Sequence, residues 1–177
     1  CRVSLRPQDV HSIIFWSKSY RPFLAHVDAL DSAGYRFVCH YTINGAPRAL
    51  EPRVPDWRVS LEVFRALAGR IGSRRVLWRF DPIVLTDTLD AAHYAARFEM
   101  LANALVGSTE RCYFSFATYY AKTARRLAAA GVVFHDPPLD ERRALVQSLA
   151  EIAAGCGITL YACCQPELAE GAVKAAS

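Results

Sequence analysis

Short apolar runs and longer amphipathic stretches alternate along this chain, with glycines at the passage from the second kind to the first. Residues 12–17, 35–43, 76–83, 111–116 and 158–163 are bulky, branched or aromatic at most positions, which predicts five buried β-strands. Between them apolar residues recur at helical spacing. The sets are Phe23, Leu24, Val27 and Leu30; Val59, Val63, Phe64, Leu67 and Ile71; Tyr94, Phe98, Leu101 and Leu105; and Leu145, Leu149 and Ile152. A short helix is predicted over 119–130, a brief extended piece over 132–134 and a last short helix from Pro166. Asp56, Thr86 to Thr88 and Asp136, which precedes Pro137, are the expected N-caps. Gly34, Gly72, Gly107 and Gly157 each divide a helix from the next strand, the position of a left-handed glycine cap. Strand–helix–strand alternation so punctuated predicts an α/β fold with a parallel sheet of right-handed βαβ units. The loop over 44–55 carries Gly45, Pro47, Pro52 and Pro55 and is longer than a minimal βα turn, a length often associated with function.

The third strand, Val76-Leu77-Trp78-Arg79-Phe80-Asp81-Pro82-Ile83, sets the orientation of the rest. Side chains alternate along a strand, so Leu77, Arg79 and Asp81 share one face and Val76, Trp78 and Phe80 the other. Pro82 has no N–H for a neighbouring strand, so the chain is expected to leave the sheet there. An arginine and an aspartate on one face read either as a site or as an ion pair that braces the sheet. The other strands favour the site. Trp16 with Lys18, His40 with Thr42, Tyr113 with Ser115, and Thr159 with Tyr161 and Cys163 also turn polar toward their C-terminal ends. The opposite faces, such as Phe37/Cys39/Tyr41 and Cys112/Phe114/Phe116, are apolar and suit a helix layer. Polar strand ends on one face predict a partial TIM-barrel-like architecture with its site at those ends. Five strands do not close such a barrel, so residues 1–177 are expected to form a single β/α domain that is incomplete at both ends.

Composition narrows the class. Of 177 residues, 53% are hydrophobic and 21% charged, a globular balance. No apolar run is long enough to span a bilayer, and no signal peptide is expected, since no basic stretch leads into an apolar one. The net charge of +4 is dispersed: the arginine pairs 74/75, 125/126 and 142/143 lie on different segments among acids, which argues against a nucleic-acid partner. The six cysteines, at 1, 39, 112, 156, 163 and 164, sit mainly in apolar segments without metal-ligand or disulfide-scaffold spacing, so no metal ligands are assigned and a reducing cytoplasm is expected.

The candidate chemistry gathers at the strand ends. Lys18 follows its strand directly and suits a phosphate or carboxylate. His40 and Thr42 share a face, as do Arg79 and Asp81. Ser115 closes the fourth strand, and Lys122 and Arg125 follow in the first turns of the next helix. Cys163-Cys164-Gln165 ends the fifth strand; the adjacent thiols lack a third and fourth ligand nearby. There is no GxSxG elbow, no P-loop and no GxGxxG, so neither a serine hydrolase nor a standard nucleotide site is supported.

Phe15-Trp16-Ser17-Lys18, Trp78-Arg79-Phe80-Asp81-Pro82-Ile83, and Ser115-Phe116 with Tyr120, Lys122-Thr123 and Arg125 together resemble the family called domain of unknown function 1848, over nearly the whole chain. The Arg-x-Asp-Pro string is also similar to strings in spore photoproduct lyase-like radical-SAM proteins. The resemblance implies a TIM-barrel-like fold, a bacterial source and, in the full-length protein, an iron–sulfur cluster with S-adenosylmethionine. The cluster motif that the family carries C-terminally is not in this chain, and the spacing of Cys163 and Cys164 does not match it. The sequence is thus expected to be the central part of such a protein.

Two functional readings follow. In the first, the chain is part of a radical-SAM-like enzyme in which Asp81, Lys18 and Ser115 serve the chemistry, and Arg79, His40, Thr42 and Lys122 bind the cofactor or substrate. In the second, the same strand ends bind a small anionic ligand without chemistry.

Overall fold

The computed structural model describes residues 3–48, 50–118, 125, 128–129 and 131–176. Among them, six parallel strands form one open sheet in sequential order: β1 (Ile13–Ser17), β2 (Phe37–Thr42), β3 (Val76–Ile83), β4 (Arg111–Phe116), β5 (Thr159–Ala162) and β6 (Lys174–Ala175). Among the described residues, four α-helices have both ends placed: α1 (Val27–Ser32), α2 (Trp57–Ile71), α3 (Ala91–Leu105) and α4 (Leu139–Gly155). Most of the helix expected over 119–130 lies outside the described residues.

Parallel strands in sequential order, joined by right-handed crossovers, send successive helices to the same face. Burial shows which face that is. Phe37, Cys39, Tyr41, Val76, Trp78, Phe80, Cys112, Phe114 and Leu160 are buried in the core with the apolar sides of α2, α3 and α4. The join is largely aromatic: Phe64 of α2 stacks on Tyr41 at 5.6 Å between ring centroids, and Phe98 of α3 stacks on Trp78 at 4.8 Å. Among the described residues, no helix layer covers the opposite face. There Ile14 and Trp16 of the edge strand β1 remain 63% and 62% exposed. The prediction of one apolar and one polar face therefore holds along the sheet.

Several local expectations hold for the reasons given. Asp56 caps α2, its carboxylate accepting from the Arg58 N–H at 2.9 Å. Gly72 and Gly157 take φ of 87° and 70°, the left-handed region a helix-ending glycine supplies.

Others are corrected. The sheet has a sixth strand, β6, whose two residues are too few to carry a periodic signal. The α3 cap is Asp90, which accepts from the His93 N–H at 2.8 Å, while Thr86 is occupied by a turn with Leu89. Helix α4 starts after Pro138 without a side-chain cap, because Asp136 is engaged by Arg142. The expected extended piece at 132–134 contributes a single bridge, Thr86 to Phe134. Pro82 does not end β3: the register with β4 shifts between Phe80 and Ile83, Pro82 sits exposed in the shift, and pairing resumes at Ile83 with Phe116. A strand tolerates proline at such an irregularity because no ladder N–H is required of it there.

Candidate functional site on the bare face of the sheet

The strand register assembles the site. Thr42, Arg79, Tyr113 and Tyr161 are direct neighbours across β2 to β5, and Trp16 and His40 are neighbours one pleat earlier. At the centre Arg79 is only 4% exposed. Its Nε donates to both Asp81 carboxylate oxygens, at 3.2 and 3.0 Å, and its Nη2 donates to Oδ2 and, at 3.4 Å, to the Cys163 sulfur. The Trp16 ring covers the guanidinium at 4.0 Å, with Tyr113 flanking at 5.9 Å. Burial works against this charge, but the hydrogen bonds to Asp81 and Cys163 outweigh it and hold the group above its ordinary pKa. The sequence places the two partners two residues apart, and the pleat turns that spacing into a side-on pair.

A row of rings surrounds the pair. His40 lies 5.5 Å from Trp16 and 5.2 Å from Tyr113, and Tyr113 stacks on Tyr161 at 5.0 Å. The His40 Nδ1 is sealed from solvent and has no hydrogen-bond partner among the described residues. Burial, and then the Arg79 charge, push the imidazole down to about 4, so it is neutral at neutral pH. This fixes the sign of a pH effect. Between pH 6.5 and 4 the unfolded chain binds a proton at His40 that the folded chain refuses, so stability is present above 6.5 and is lost as pH falls toward 4. Allowing for partial exposure, the loss is on the order of 2 kcal/mol. Urea midpoints at pH 7.5 and 4.5 should differ more for the native protein than for His40→Gln; equal differences would remove this role.

The other predicted residues divide. Lys18 pairs with Glu51 from the loop after β2, and not with the Arg79 group. Thr42 is buried opposite Arg79 and lines a cleft of about 60 Å³ with Asn44, Glu51 and Ser60. Ser115 is half-buried two residues beyond Tyr113, and its hydroxyl has no hydrogen bond among the described residues. Lys122 lies outside the described residues. Gln165 is structural: its Oε1 accepts from the Phe116 N–H at 2.7 Å.

Asn44, Glu51, Trp16 and Tyr161 complete the site beyond the residues singled out from sequence. Asn44 Nδ2 donates to the Asp81 carbonyl at 3.3 Å and to Glu51 at 3.5 Å, tying the loop to the end of β3. The only sequence signal for Asn44 and Glu51 was the unusual length of that loop. For Trp16 and Tyr161 the signal was their place on the polar face.

The described cysteines do not fit an iron–sulfur cluster, which is held by several convergent thiolates. Cys39 and Cys112 are buried on the helix-facing side, and burial pushes the Cys39 thiol up to about 12. Cys156 ends α4 beside Asn103. Among the described residues no three or more His, Cys, Asp or Glu gather as a metal site. Nor, among them, is any helix long and apolar enough to cross a membrane.

These features define an α/β protein with an open, all-parallel six-stranded sheet and a polar, ring-lined candidate site on the face that no described helix covers. The chain belongs to the family described as Domain of unknown function (DUF1848), whose model matches residues 1–177. No curated protein matches it.

Proposed function

We propose that the bare face is the ligand-binding face of a partial TIM-barrel-like enzyme domain, and that Arg79 holds a small anionic molecule there. One observation carries this reading. Asp81 occupies the Nε–Nη2 edge of the guanidinium and Trp16 covers its plane, while the Nη1 edge donates to no described residue. With Nε and Nη2 committed to Asp81 and Cys163, Nη1 keeps N–H donors that no described residue accepts, which suits an oxygen of a carboxylate or phosphate. Asp81 offsets the charge, so the ligand is recognised by donor geometry more than by net charge. Exposed Trp16, with Tyr113 and Tyr161, offers apolar surface to the rest of the molecule.

In this enzyme reading Asp81 orients Arg79, and Lys18 and Ser115 stand at neighbouring strand ends. Radical-SAM-like chemistry rests on the family resemblance alone. A cluster and S-adenosylmethionine would supply radical formation, and the cluster's ligands would have to lie outside the described cysteines. The alternative, a binding module without chemistry, is favoured by one feature: both Asp81 oxygens accept from Arg79, so this carboxylate is not free to act as a base.

The test is thermal denaturation with a panel of small carboxylates, phosphates and S-adenosylmethionine. A binding ligand raises the Tm of the native protein by mass action. Arg79→Lys keeps the charge but loses the fork, and is expected to abolish that shift. An unchanged shift in Arg79→Lys would overturn the site. Iron and sulfide analysis of the anaerobically expressed full reading frame separates the two readings: iron-free protein that still binds the ligand is the binding module.

A further inference from the structure

Directly after β5 come two consecutive cysteines that the proposed ligand site does not use as ligands. Successive side chains of a strand point to opposite faces, which would separate the thiols. Here they converge, because Cys164 takes φ 58°, the only positive φ at a non-glycine among the described residues. That left-handed turn brings its sulfur to 3.8 Å from the Cys163 sulfur. A non-glycine in this region is uncommon and persists where the surroundings enforce it. The next residue does so, since Gln165 is pinned to the Phe116 backbone.

The distance identifies the chemistry. A direct disulfide between neighbours is disfavoured, because adjacent Cα atoms are about 3.8 Å apart and disulfides usually need at least about 4.4 Å. A single bridging ion has no such difficulty. Two metal–sulfur bonds of about 2.3 Å at the tetrahedral angle place the sulfurs about 3.8 Å apart. Arg79 adds an independent element, because its Nη2 donates to the Cys163 sulfur and fixes where that ligand atom sits. Cys164 is exposed, so an ion can reach the pair.

We propose that Cys163 and Cys164 form a two-thiolate chelate for a thiophilic divalent cation of the zinc type, beside the Arg79 site, with the remaining coordination positions open to water or a ligand. Binding exchanges the two thiol protons for the ion, so two protons are released per metal. This site differs from an iron–sulfur site in its ligand number and does not depend on the ligand proposed for Arg79.

The experiment titrates the reduced, metal-free full chain with Cd²⁺ and follows the thiolate-to-metal charge-transfer band and proton release. One ion per chain is expected, displaced by Zn²⁺. Cys163→Ser and Cys164→Ser should each lose the band, and Cys156→Ser should keep it. A band of native size in the Cys163→Ser/Cys164→Ser protein, or no band in the native one, overturns the proposal. A second measurement needs no variant: Zn²⁺ should slow iodoacetamide labelling of both cysteines, mapped by peptide mass spectrometry. Unchanged labelling rates would overturn it as well.

Discussion

Asp81→Ala is expected to cost about 3–5 kcal/mol of folding stability, the usual consequence of leaving a buried charge without its partner. Arg79 sits at 4% exposure, and its hydrogen-bonded charge partner is the Asp81 carboxylate. Removing that carboxylate leaves the Nε–Nη2 edge of the guanidinium, covered by Trp16 and flanked by Tyr113, with only the Cys163 sulfur among the described residues to accept from it. For a domain of this size the loss corresponds to a fall in Tm of roughly 6–20 °C. The double change Arg79→Met/Asp81→Leu should recover most of it, because replacing a whole buried ion pair by apolar groups is often neutral or stabilising. It should also abolish ligand binding. The combination therefore distinguishes a pair kept for function from one kept for stability. Urea unfolding of the three proteins checks it, and an Asp81→Ala midpoint equal to that of the native protein would show that Arg79 reaches water after all.

The second large effect comes from the other side of the same strand. Trp78 is fully buried, stacks on Phe98 of α3 and packs edge-on to Phe80 at 5.8 Å. Its indole N–H donates to the Ile43 carbonyl at 2.8 Å. Trp78→Ala should cost about 3–5 kcal/mol from lost transfer free energy and the cavity left behind. Its effect should reach the bare face too. Ile43 is held by Trp78 through its carbonyl and by the Arg79 carbonyl through its N–H, at 3.0 Å, and it leads directly into Asn44, which holds the Asp81 carbonyl. Trp78→Phe keeps an aromatic ring on Phe98 and loses the indole donor, and should cost about 1–3 kcal/mol through the unsatisfied carbonyl. Denaturant midpoints order the three proteins. If Trp78→Phe proved as damaging as Trp78→Ala, the indole hydrogen bond rather than ring burial would be what matters at this position.

The two experiments bear on how much of this protein could be read before its coordinates. The helix spacing of Val63, Phe64, Leu67 and Ile71 and the alternation of Val76 to Asp81 were plain, because a helix or strand with one buried face must repeat its apolar residues at that element's own period. Boundaries were less plain. Asp136 and Thr86 are chemically able to cap, but Arg142 and a local turn engage them first, and that competition involves residues outside any short window. Pro82 looked terminal because a proline denies the ladder a donor, and only the register with β4 shows the strand continuing around it.

From the sequence alone came the βα repetition, the parallel sheet, the division of each strand into an apolar and a polar face, and the closeness of Arg79 to Asp81. These are local or periodic properties, fixed by side-chain geometry over a few residues. The tertiary structure decided what local chemistry cannot. The sheet is open and six-stranded, Lys18 is neutralised by Glu51 from a loop 33 residues away, and Trp16 lies over Arg79. Cys164, two residues beyond β5, turns its thiol back onto Cys163 through a positive φ. Each of these depends on which distant segments share space, and that is determined only when the strands take their register and the helices close over one face.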